Sequence, residues 1–376
     1  MHVAFISHEY PLWASGGIGS FLQTFGRALT KEGHKVTIIG AGTSSKEGCI
    51  DDKGVSLYRL PVSQNFIPGF IFNSIQLNKK LIEINKQHPI DVIEASELGL
   101  ALLFVLSKVP KVIRLHGGHH FFSEAEKRGI NWRKGLLEKR SFKKADGFIA
   151  VSRYVKEHTG KYLSYHNSPV HIIPHPVKIP SVFSKTENTS KSILFAGTIC
   201  EKKGVRELLQ AFQVVKERYP DYQLDLYGRD WFYPDGSSYI KKIQQEYPKN
   251  FFENITFHGA VTREKLYKQY NNAAFCVFPS HMETQGLVTL EAMSLGKAVV
   301  FSKYGPGPET ISHKDNGLLC DVYDPKDIAS KICWYIENPE EVKAIGQRAL
   351  KTVKEKYDIA LILKKNIEFY HSLLDS

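Results

Sequence analysis

Residues 282–300, METQGLVTLEAMSLGKAVV, indicate how the second half of the chain folds. The stretch begins as a loop, turns at Gly286, continues as a helical pattern and ends in the apolar residues of a strand. Glu283 and Glu291 stand eight positions apart, one on each side of that glycine. Strand, loop, helix and strand in this order are typical of a parallel sheet covered by helices.

The start of this helix predicts an anion site. If the helix begins near Gly286, the amides of Gly286, Leu287 and Val288 have no partner within it and can hold a diphosphate. A carboxylate repels a phosphate, so we expect Glu283 and Glu291 to accept hydrogen bonds from hydroxyls on either side of the diphosphate, one set on a sugar and one on a ribose. The alternative, a capping acid at 283 and a solvent-facing acid at 291, leaves the intervening glycine unexplained.

The same alternation runs along the whole chain and predicts an α/β fold with two doubly wound, Rossmann-like domains. Residues 167–192 separate the two series and contain four prolines, which predicts a linker. Residues 98–109, LGLALLFVLSKV, are predicted as a helix. The predicted strands are VAFIS, KVTIIG, DVIEAS, KVIRLHG and GFIAVS in the first half, and SILFAGTI, QLDLYG, NITFHG, AAFCVFPS, KAVVFS and NGLLC in the second.

Length and composition are those of a two-domain globular protein, since the 376 residues are 42% apolar and 24% charged. The five cysteines lie far apart, which argues against a zinc site or a disulfide framework. The chain opens on a predicted strand rather than on a signal segment. Its longest apolar run, 98–106, is much shorter than the roughly 20 residues that cross a bilayer. We therefore expect a cytoplasmic protein.

The loop after the first strand is rich in glycine. Gly16, Gly17 and Gly19 lead into a helix, and such a loop can hold a phosphate on its amides. The spacing differs from G-x-G-x-x-G and no acid ends the second strand, so a nicotinamide dinucleotide is disfavoured. The alternative is that the glycines only fit a tight turn.

Two further loops follow predicted strands, where ligands of doubly wound sheets bind. His116 directly follows the strand KVIRL and precedes two glycines and two more histidines, so it can reach a ligand. A core-facing histidine is the main alternative. A metal site is disfavoured because no carboxylate or cysteine stands at ligand spacing. FAGTICEKKGVRELL, residues 195–209, brings Lys202 and Lys203 to a helix start where a phosphate can sit. Surface lysines in an ordinary loop are the alternative there.

These features together resemble a known enzyme family. The chain is similar to the retaining glycosyltransferases of family 4, which have the GT-B fold, two Rossmann-like domains that face each other across a cleft. The family's E-x7-E signature corresponds to Glu283 and Glu291. The resemblance covers most of the chain and is dense from about 145 to 330. Segments that follow the family's order are ADGFIAVSRYVKEH, HIIPHPV, FAGTICEKKG, NITFHGAV and NGLLCDVYDPKDIA.

The resemblance implies a division of labour between the domains. Residues 1–175 would bind the acceptor, residues 176–357 would bind the nucleotide sugar, and a C-terminal helix at about 358–376 would pack back onto the first domain. The expected partners are a nucleotide-sugar donor, with a UDP-sugar slightly favoured over a GDP-sugar, and a saccharide or lipid-linked acceptor. No cofactor and no nucleic-acid partner is expected.

The resemblance also assigns roles to the E-x7-E stretch and to the lysine loop. Glu283 would hold hydroxyls of the donor sugar, and Glu291 would hold the ribose. Lys203 and the amides of Gly286, Leu287 and Val288 would hold the diphosphate.

Other assignments concern the first domain and two departures from the family pattern. Gly17 would approach the diphosphate, and His116 would lie near the transferred sugar. Thr198 stands where the family commonly has arginine, so Lys202 is expected to supply the missing cation. His175 and the proline after it replace the usual Asn-Gly.

The implied reaction is transfer with retained configuration, for which Glu283, His116 and Lys203 are the candidate catalytic residues. The leaving diphosphate, stabilised by cations and amides, would take the proton of the attacking hydroxyl. No Asp-x-Asp occurs in the chain, which fits a metal-independent enzyme. The alternatives are a GT-B nucleotide-sugar 2-epimerase, a sugar phosphorylase with a pyridoxal-binding lysine, and a non-catalytic sugar-binding module.

The basic residues are distributed unevenly. The net charge is +11, and residues 1–190 carry +10 of it, with 25 Lys and Arg against 15 Asp and Glu. Residues 127–144 hold eight basic residues and one acid, interleaved with Trp and Leu. We expect this segment to bind an acceptor or the anionic inner face of the cell membrane, as in the synthesis of a cell-surface polysaccharide or glycolipid; a solvated helix face is the alternative. The proposed contact residues are Arg133, Lys134, Lys139 and Arg140.

Overall fold

The computed structural model describes residues 1–12, 16–41, 48–61, 69–125, 129–180 and 190–375. The chain forms two compact units. Unit 1 comprises Met1–Pro176 and Ile359–Ser376, and unit 2 comprises Val177–Asp358.

Unit 1 is built on an eight-stranded sheet in the order β3-β4-β2-β1-β5-β6-β7-β8. Its strands are parallel except for the antiparallel pair β3 and β4, which is joined by Lys53 and Gly54, both with positive φ. The central strands are buried on both faces, as expected for a parallel sheet covered by helices. The strands are β1 (His2–Ile6), β2 (Lys35–Ala41), β3 (Gly48–Asp52), β4 (Val55–Leu60), β5 (Val92–Ala95), β6 (Lys111–Leu115), β7 (Gly147–Ala150) and β8 (Val170–Ile172), and the helices are α1 (Gly17–Lys31), α2 (Gly69–Gln87), α3 (His119–Ala125), α4 (Trp132–Phe142) and α5 (Arg153–Gly160).

The helix predicted over 98–109 is absent, and the segment forms a series of turns. Two lysines outside it bind its carbonyl oxygens, which a helix would have paired internally. Lys111 Nζ donates to the carbonyls of residues 106, 107 and 109, at 2.7–3.1 Å, and Lys144 Nζ donates to that of Ala101 at 3.1 Å. Periodicity alone predicts the wrong structure here because it takes no account of donors outside the segment, whether adjacent like Lys111 or 43 residues away like Lys144.

The linker predicted over 167–192 is wrong at its start. Val170–Ile172 pairs in parallel with β7 and forms the edge strand β8. Prolines flank this strand, which an edge position tolerates because one row of its amides needs no partner. Residues 181–189 lie outside the described residues.

Unit 2 has a six-stranded parallel sheet in the order β11-β10-β9-β12-β13-β14. The chain order reverses between β9 and β12, and this switch point is where doubly wound sheets bind ligands. The strands are β9 (Ser192–Ala196), β10 (Gln223–Tyr227), β11 (Ile255–Gly259), β12 (Phe275–Phe278), β13 (Val299–Ser302) and β14 (Leu318–Cys320), and the helices are α6 (Val205–Arg218), α7 (Tyr239–Glu246), α8 (Arg263–Asn272), α9 (Leu287–Ser294), α10 (Gly307–Thr310), α11 (Pro325–Glu337) and α12 (Pro339–Lys356).

The last helix, α13 (Ile359–Leu374), belongs to unit 1 and packs against α1. Two of its side chains join a buried ionic network. Asn366 Oδ1 accepts a hydrogen bond from Arg114 Nη2 at 2.6 Å, and the Tyr370 hydroxyl donates to Glu94 Oε2 at 2.6 Å. The C-terminal helix is therefore tied to the central strands of unit 1 by polar as well as apolar contacts.

Candidate functional site

The loops that follow β9 and β12 meet at the switch point of unit 2. The amide of His281 donates to the carbonyl of Lys202 at 3.0 Å. Gly204 has a φ of +67°, and a Cβ at this position would lie 1.9 Å from the carbonyl oxygen of Pro279. The close approach of the two loops therefore depends on glycine at position 204.

This approach brings Lys203 and Glu283 into contact. Lys203 Nζ forms an ion pair with Glu283 Oε1, which also accepts a hydrogen bond from Ser280 Oγ at 3.1 Å. The two side chains are 20% and 13% exposed, so the pair remains open to a ligand. The sequence assigns Lys203 to a diphosphate and Glu283 to a sugar, and the structure places the two groups side by side.

Helix α9 begins as the sequence predicts, with Gly286 at its N-cap. Gly286 has a φ of +80°, and a Cβ there would lie 2.6 Å from Phe301 Cζ, so a larger residue is excluded. Gly286, as the N-cap residue, has no side chain that could cap this end of the helix. Among the described residues, the amides of Leu287 and Val288 donate no hydrogen bond to another protein group. These amides can therefore bind an external acceptor.

Glu291, on the second turn of α9, has a partner that the sequence analysis misses. Arg263 Nη2 lies 2.7 Å from Glu291 Oε1, and Arg263 Nε donates to the Tyr267 hydroxyl at 3.2 Å. Burial raises the pKa of Glu291, while the Arg263 guanidinium opposes this effect. Arg263 begins α8, directly after β11, so its place at a strand end was the signal that could have identified it.

The remaining predicted residues of unit 2 lie in the loop after β9. Thr198 is half-buried there. Lys202 and Lys203 share a single 3-10 turn, Glu201–Lys203. Lys202 links the two loops through its carbonyl group.

The glycine-rich loop of unit 1 differs from the start of α9, because a protein side chain binds an amide at its helix start. Gly17 is the first residue of α1 and is exposed. The Glu9 carboxylate lies at this helix start, where Oε2 accepts from the amide of Gly19 at 3.4 Å. Residues 13–15 of the loop lie outside the described residues. Here a protein carboxylate occupies the position that the sequence suggests for a phosphate.

His116 lies at the carboxyl end of β6 among aromatic rings. Its ring stacks on that of His175 with centroids 4.9 Å apart, and the Phe21 ring lies 5.7 Å away. Removal from water, with the nearby charge of Arg114, lowers the pKa of His116 to about 3. The imidazole is therefore neutral at physiological pH and can act through a hydrogen bond but not through a positive charge.

Two buried acidic side chains hold the histidine loop that follows. Glu138 accepts from the amides of His119 and His120 at 2.7 and 3.0 Å, and it also contacts His120 Nδ1. Glu97 accepts from the amide of Gly117 at 2.7 Å. In the part of the chain that the structure describes, no group of three or more His, Cys, Asp and Glu side chains is placed to hold a metal ion.

Two family models divide the chain between them. The model described as Glycosyltransferase Family 4 matches residues 15–179, and the model described as Glycosyl transferases group 1 matches residues 180–352. The chain belongs to glycosyltransferase family 4. It is 26% identical over 401 residues to an uncharacterised glycosyltransferase of Methanocaldococcus jannaschii, with 98% of each chain covered.

Solved structures show the fold of this family 4 glycosyltransferase. Sucrose-phosphate synthase of Thermosynechococcus elongatus matches with a TM-score of 0.84 and 20% identity, over 100% of this chain and 99% of that one. HepE of Anabaena, in complex with UDP and glucose, matches with a TM-score of 0.79 and 17% identity, over 98% and 99%. The prediction of two doubly wound domains of the GT-B type is confirmed.

The central part of the basic segment of the glycosyltransferase, Trp132–Phe142, forms α4 of unit 1. Arg133, Lys134, Lys139 and Arg140 are all exposed. Trp132 and Leu136 beside them are 69% and 61% exposed. The single acid of the segment, Glu138, is buried and does not offset the surface charge. Residues 127 and 128 lie outside the described residues, and no described helix has the length and apolar character needed to span a bilayer.

Proposed function

We propose that this glycosyltransferase moves a sugar from a nucleoside-diphosphate sugar to a hydroxyl of a saccharide or lipid-linked acceptor, with retention of configuration and without a metal ion. The observation that carries the proposal is the convergence of a lysine, two carboxylates and unpaired helix amides at the switch point of unit 2. Family membership supports the transfer of a sugar. HepE, which has the same fold, binds UDP and glucose, which supports a UDP-sugar as the donor.

In this proposal the amides of Leu287 and Val288 bind the diphosphate. Lys203 lies against Glu283, so its ammonium can stand between that carboxylate and the phosphates and reduce their repulsion. Glu283 binds hydroxyls of the donor sugar. Glu291, held by Arg263, accepts from the ribose.

The proposed reaction needs no carboxylate nucleophile. The bond between the anomeric carbon and the diphosphate oxygen breaks while the acceptor oxygen bonds to the same face of that carbon. The acceptor proton passes to a diphosphate oxygen. Lys203 and the α9 amides stabilise the charge that grows on the leaving group, which is the task a metal ion would otherwise perform.

Titration calorimetry with UDP and GDP, followed by incubation with their glucose and mannose derivatives, tests this function. We expect one nucleoside diphosphate to bind in EDTA and the matching sugar derivative to be hydrolysed slowly to it. Binding without any nucleotide release in the presence of acceptors would favour a non-catalytic module. Epimerisation of the sugar without transfer, or a pyridoxal absorbance band, would contradict the proposal in favour of the other enzymes.

We also propose that the protein docks peripherally on an anionic membrane through α4. Exposed cations next to exposed Trp132 and Leu136 are typical of a helix that lies in the membrane interface. The Arg133 guanidinium lies over the Trp132 ring at 5.3 Å, which keeps charge and aromatic surface together. Such docking fits the synthesis of a cell-surface polysaccharide or glycolipid.

A further inference from the structure

Unit 1 contains a cavity that neither the donor site nor the docking surface uses. It has a volume of about 380 Å³ and lies at the carboxyl ends of β1, β2, β4 and β5, next to α2 and α4. Because β1 and β5 are neighbours on opposite branches of the sheet, the cavity lies at the switch point of unit 1. Its walls are mainly apolar and include Leu60, Phe70, Leu77, Leu98, Leu102 and Leu137.

Within the described ranges, five polar side chains line the cavity, and three of them are engaged by the main chain, whereas Asn73 Oδ1 and the Ser96 hydroxyl are not. The hydroxyls of Ser7 and Ser74 donate to main-chain carbonyls at 3.0 and 2.9 Å, and His8 Nδ1 accepts from a main-chain amide at 3.1 Å. Asn73 Oδ1 is buried and has no hydrogen-bond partner among the described residues. A pyranose, with a hydroxyl on most of its carbons, would leave several hydroxyls unpaired in such walls. A hydrocarbon chain, which has no polar group to satisfy, would not.

The mouth of the cavity adds a second constraint on the occupant. Phe70 and Leu98 line the cavity and are also 60% and 37% exposed, so the apolar surface continues outward. Helix α4 contributes Leu137 to the wall, and the exposed cations Arg133 and Arg140 stand four residues before it and three after it, on the same side of the helix. Apolar walls with cations on the same side of a bordering helix complement an apolar chain attached to an anionic group.

We infer that this cavity binds the hydrocarbon chain of an acceptor in which a phosphate joins the chain to the group that receives the sugar. The inference rests on the proposed function, because it specifies the acceptor of that transfer as amphiphilic. It narrows the acceptor class from any saccharide to a lipid-linked one.

The probes that test it are butyl, octyl and dodecyl phosphate below their micelle-forming concentrations, titrated calorimetrically into the full chain. We expect affinity to rise by about fourfold for each added methylene until the cavity is full, and then to level off. Affinity that does not depend on chain length, or displacement of octyl phosphate by free glucose, would overturn the inference.

A cavity variant and a surface control locate the binding. Leu137→Trp fills the cavity and should weaken octyl phosphate binding at least tenfold. Ile82→Trp changes an exposed residue of α2 that does not line the cavity and should leave octyl phosphate binding unchanged. Leu77→Gln, on α2, serves as a second cavity variant if Leu137→Trp lowers the melting temperature. Equal losses in Leu137→Trp and Ile82→Trp would mean adsorption to the surface and would overturn the inference.

Nucleotide binding separates this inference from the proposed function. Leu137→Trp should bind UDP like the unmodified protein, and Glu291→Ala should bind octyl phosphate like it. If UDP binds and alkyl chains do not, the cavity assignment fails while the donor site stands. If alkyl phosphate affinity rises with chain length but no nucleoside diphosphate binds, the proposed function fails. The cavity would then bind an amphiphile that is not the acceptor of a sugar transfer, which overturns the inference as stated.

Discussion

Both units place helix N-termini after strands of a parallel sheet, but they satisfy them in different ways. In unit 1 the Glu9 carboxylate lies at the start of α1 and Glu138 accepts from the first amides of α3. In unit 2 the first amides of α9 have no protein acceptor among the described residues. The same architecture therefore gives helix N-termini whose amides bind protein carboxyl groups in unit 1, and a helix N-terminus that is open to an external anion in unit 2.

The main ion pairs of the two units also differ in how far they are exposed to solvent. The Glu94–Arg114 pair of unit 1 is buried, with side-chain exposures of 2% and 0%, and is closed by groups on α13. The Lys203–Glu283 pair of unit 2 is partly exposed and lies beside the unpaired amides. We conclude that the charges of unit 1 hold its fold together and that those of unit 2 are available to a ligand. The predictions below test this contrast.

The largest effect is expected from Glu94→Ala. It leaves the Arg114 guanidinium buried without its carboxylate, so the free energy of unfolding should fall by about 3–5 kcal/mol. Urea denaturation followed by circular dichroism measures it. Glu264→Ala, an exposed carboxylate on α8, is the control and should change stability by less than about 0.5 kcal/mol. A comparable loss in Glu283→Ala would remove the distinction between the two pairs.

The next effect is on catalysis. Lys203→Ala should raise the activation free energy of transfer by about 2–4 kcal/mol, seen as a lower turnover number. It should weaken donor binding by less, because charge on the diphosphate grows in the transition state. Steady-state kinetics with the nucleotide sugar that the calorimetric and hydrolysis tests select measure both quantities. Lys241→Ala, an exposed lysine on α7, is the matched control. If Lys202→Ala proves crippling and Lys203→Ala silent, the cation has been assigned one residue too late.

The two glutamates of the E-x7-E stretch should separate in a binding experiment. Glu291→Ala should weaken binding of free nucleoside diphosphate by about 1.5–3 kcal/mol through the loss of ribose contacts, whereas Glu283→Ala should bind it normally and fail in transfer. Calorimetry and an activity assay measure the two properties, with Glu264→Ala as the control. Tighter binding by Glu291→Ala would mean that this carboxylate serves to neutralise Arg263 rather than to hold a ribose.

Much of this arrangement is predictable from the sequence, and the omissions have a common cause. Every predicted strand is present, and Gly286 starts its helix where the pattern places it. Arg263 is missed because its partner is 28 residues away, and the helix predicted over 98–109 fails because the lysines that bind its carbonyls lie outside it. Local pattern identifies elements and their ends. It cannot identify which distant side chain completes them.

A further effect concerns the pH dependence of unit 1. Burial, with the nearby charge of Glu138, raises the pKa of Glu97 from 4.5 to about 8. Between these values the folded protein keeps a proton that the unfolded chain has lost, so this group makes stability fall as pH rises from about 4.5 to 8. Glu97→Gln retains an acceptor for the Gly117 amide without titrating.

The stability of Glu97→Gln relative to the unmodified protein should therefore increase from pH 5 to pH 8, by at most about 1.4 kcal/mol per pH unit. Urea denaturation across this range measures the difference in stability between the two proteins. His116 contributes in the opposite direction, because its lowered pKa makes stability rise with pH. Both proteins contain His116, so its contribution cancels in the difference. Parallel stability curves would show that Glu97 ionises in the folded protein as it does in the unfolded chain, and the loop after β6 would then be held by two negative charges, those of Glu97 and Glu138.

The smallest effect per residue is expected when basic residues on the surface of α4 are replaced, and the quantity affected is the binding of the protein to membranes. Each basic residue near an anionic bilayer contributes about 1 kcal/mol, so replacing Arg133, Lys134, Lys139 and Arg140 with serine should abolish co-sedimentation with liposomes that contain anionic lipid. The unmodified protein should bind these vesicles at low salt, release them at high salt and ignore neutral vesicles. The matched control removes four exposed lysines from α12 in unit 2, Lys343, Lys351, Lys354 and Lys356, and loses the same net charge. If this control also abolishes binding, the effect is one of total charge, and unit 1 has no special surface. If the unmodified protein does not bind anionic vesicles even at low salt, the basic residues of α4 only face solvent. The two units would then differ in how the amides at their helix N-termini are hydrogen-bonded, but not in the binding of their surfaces to membranes.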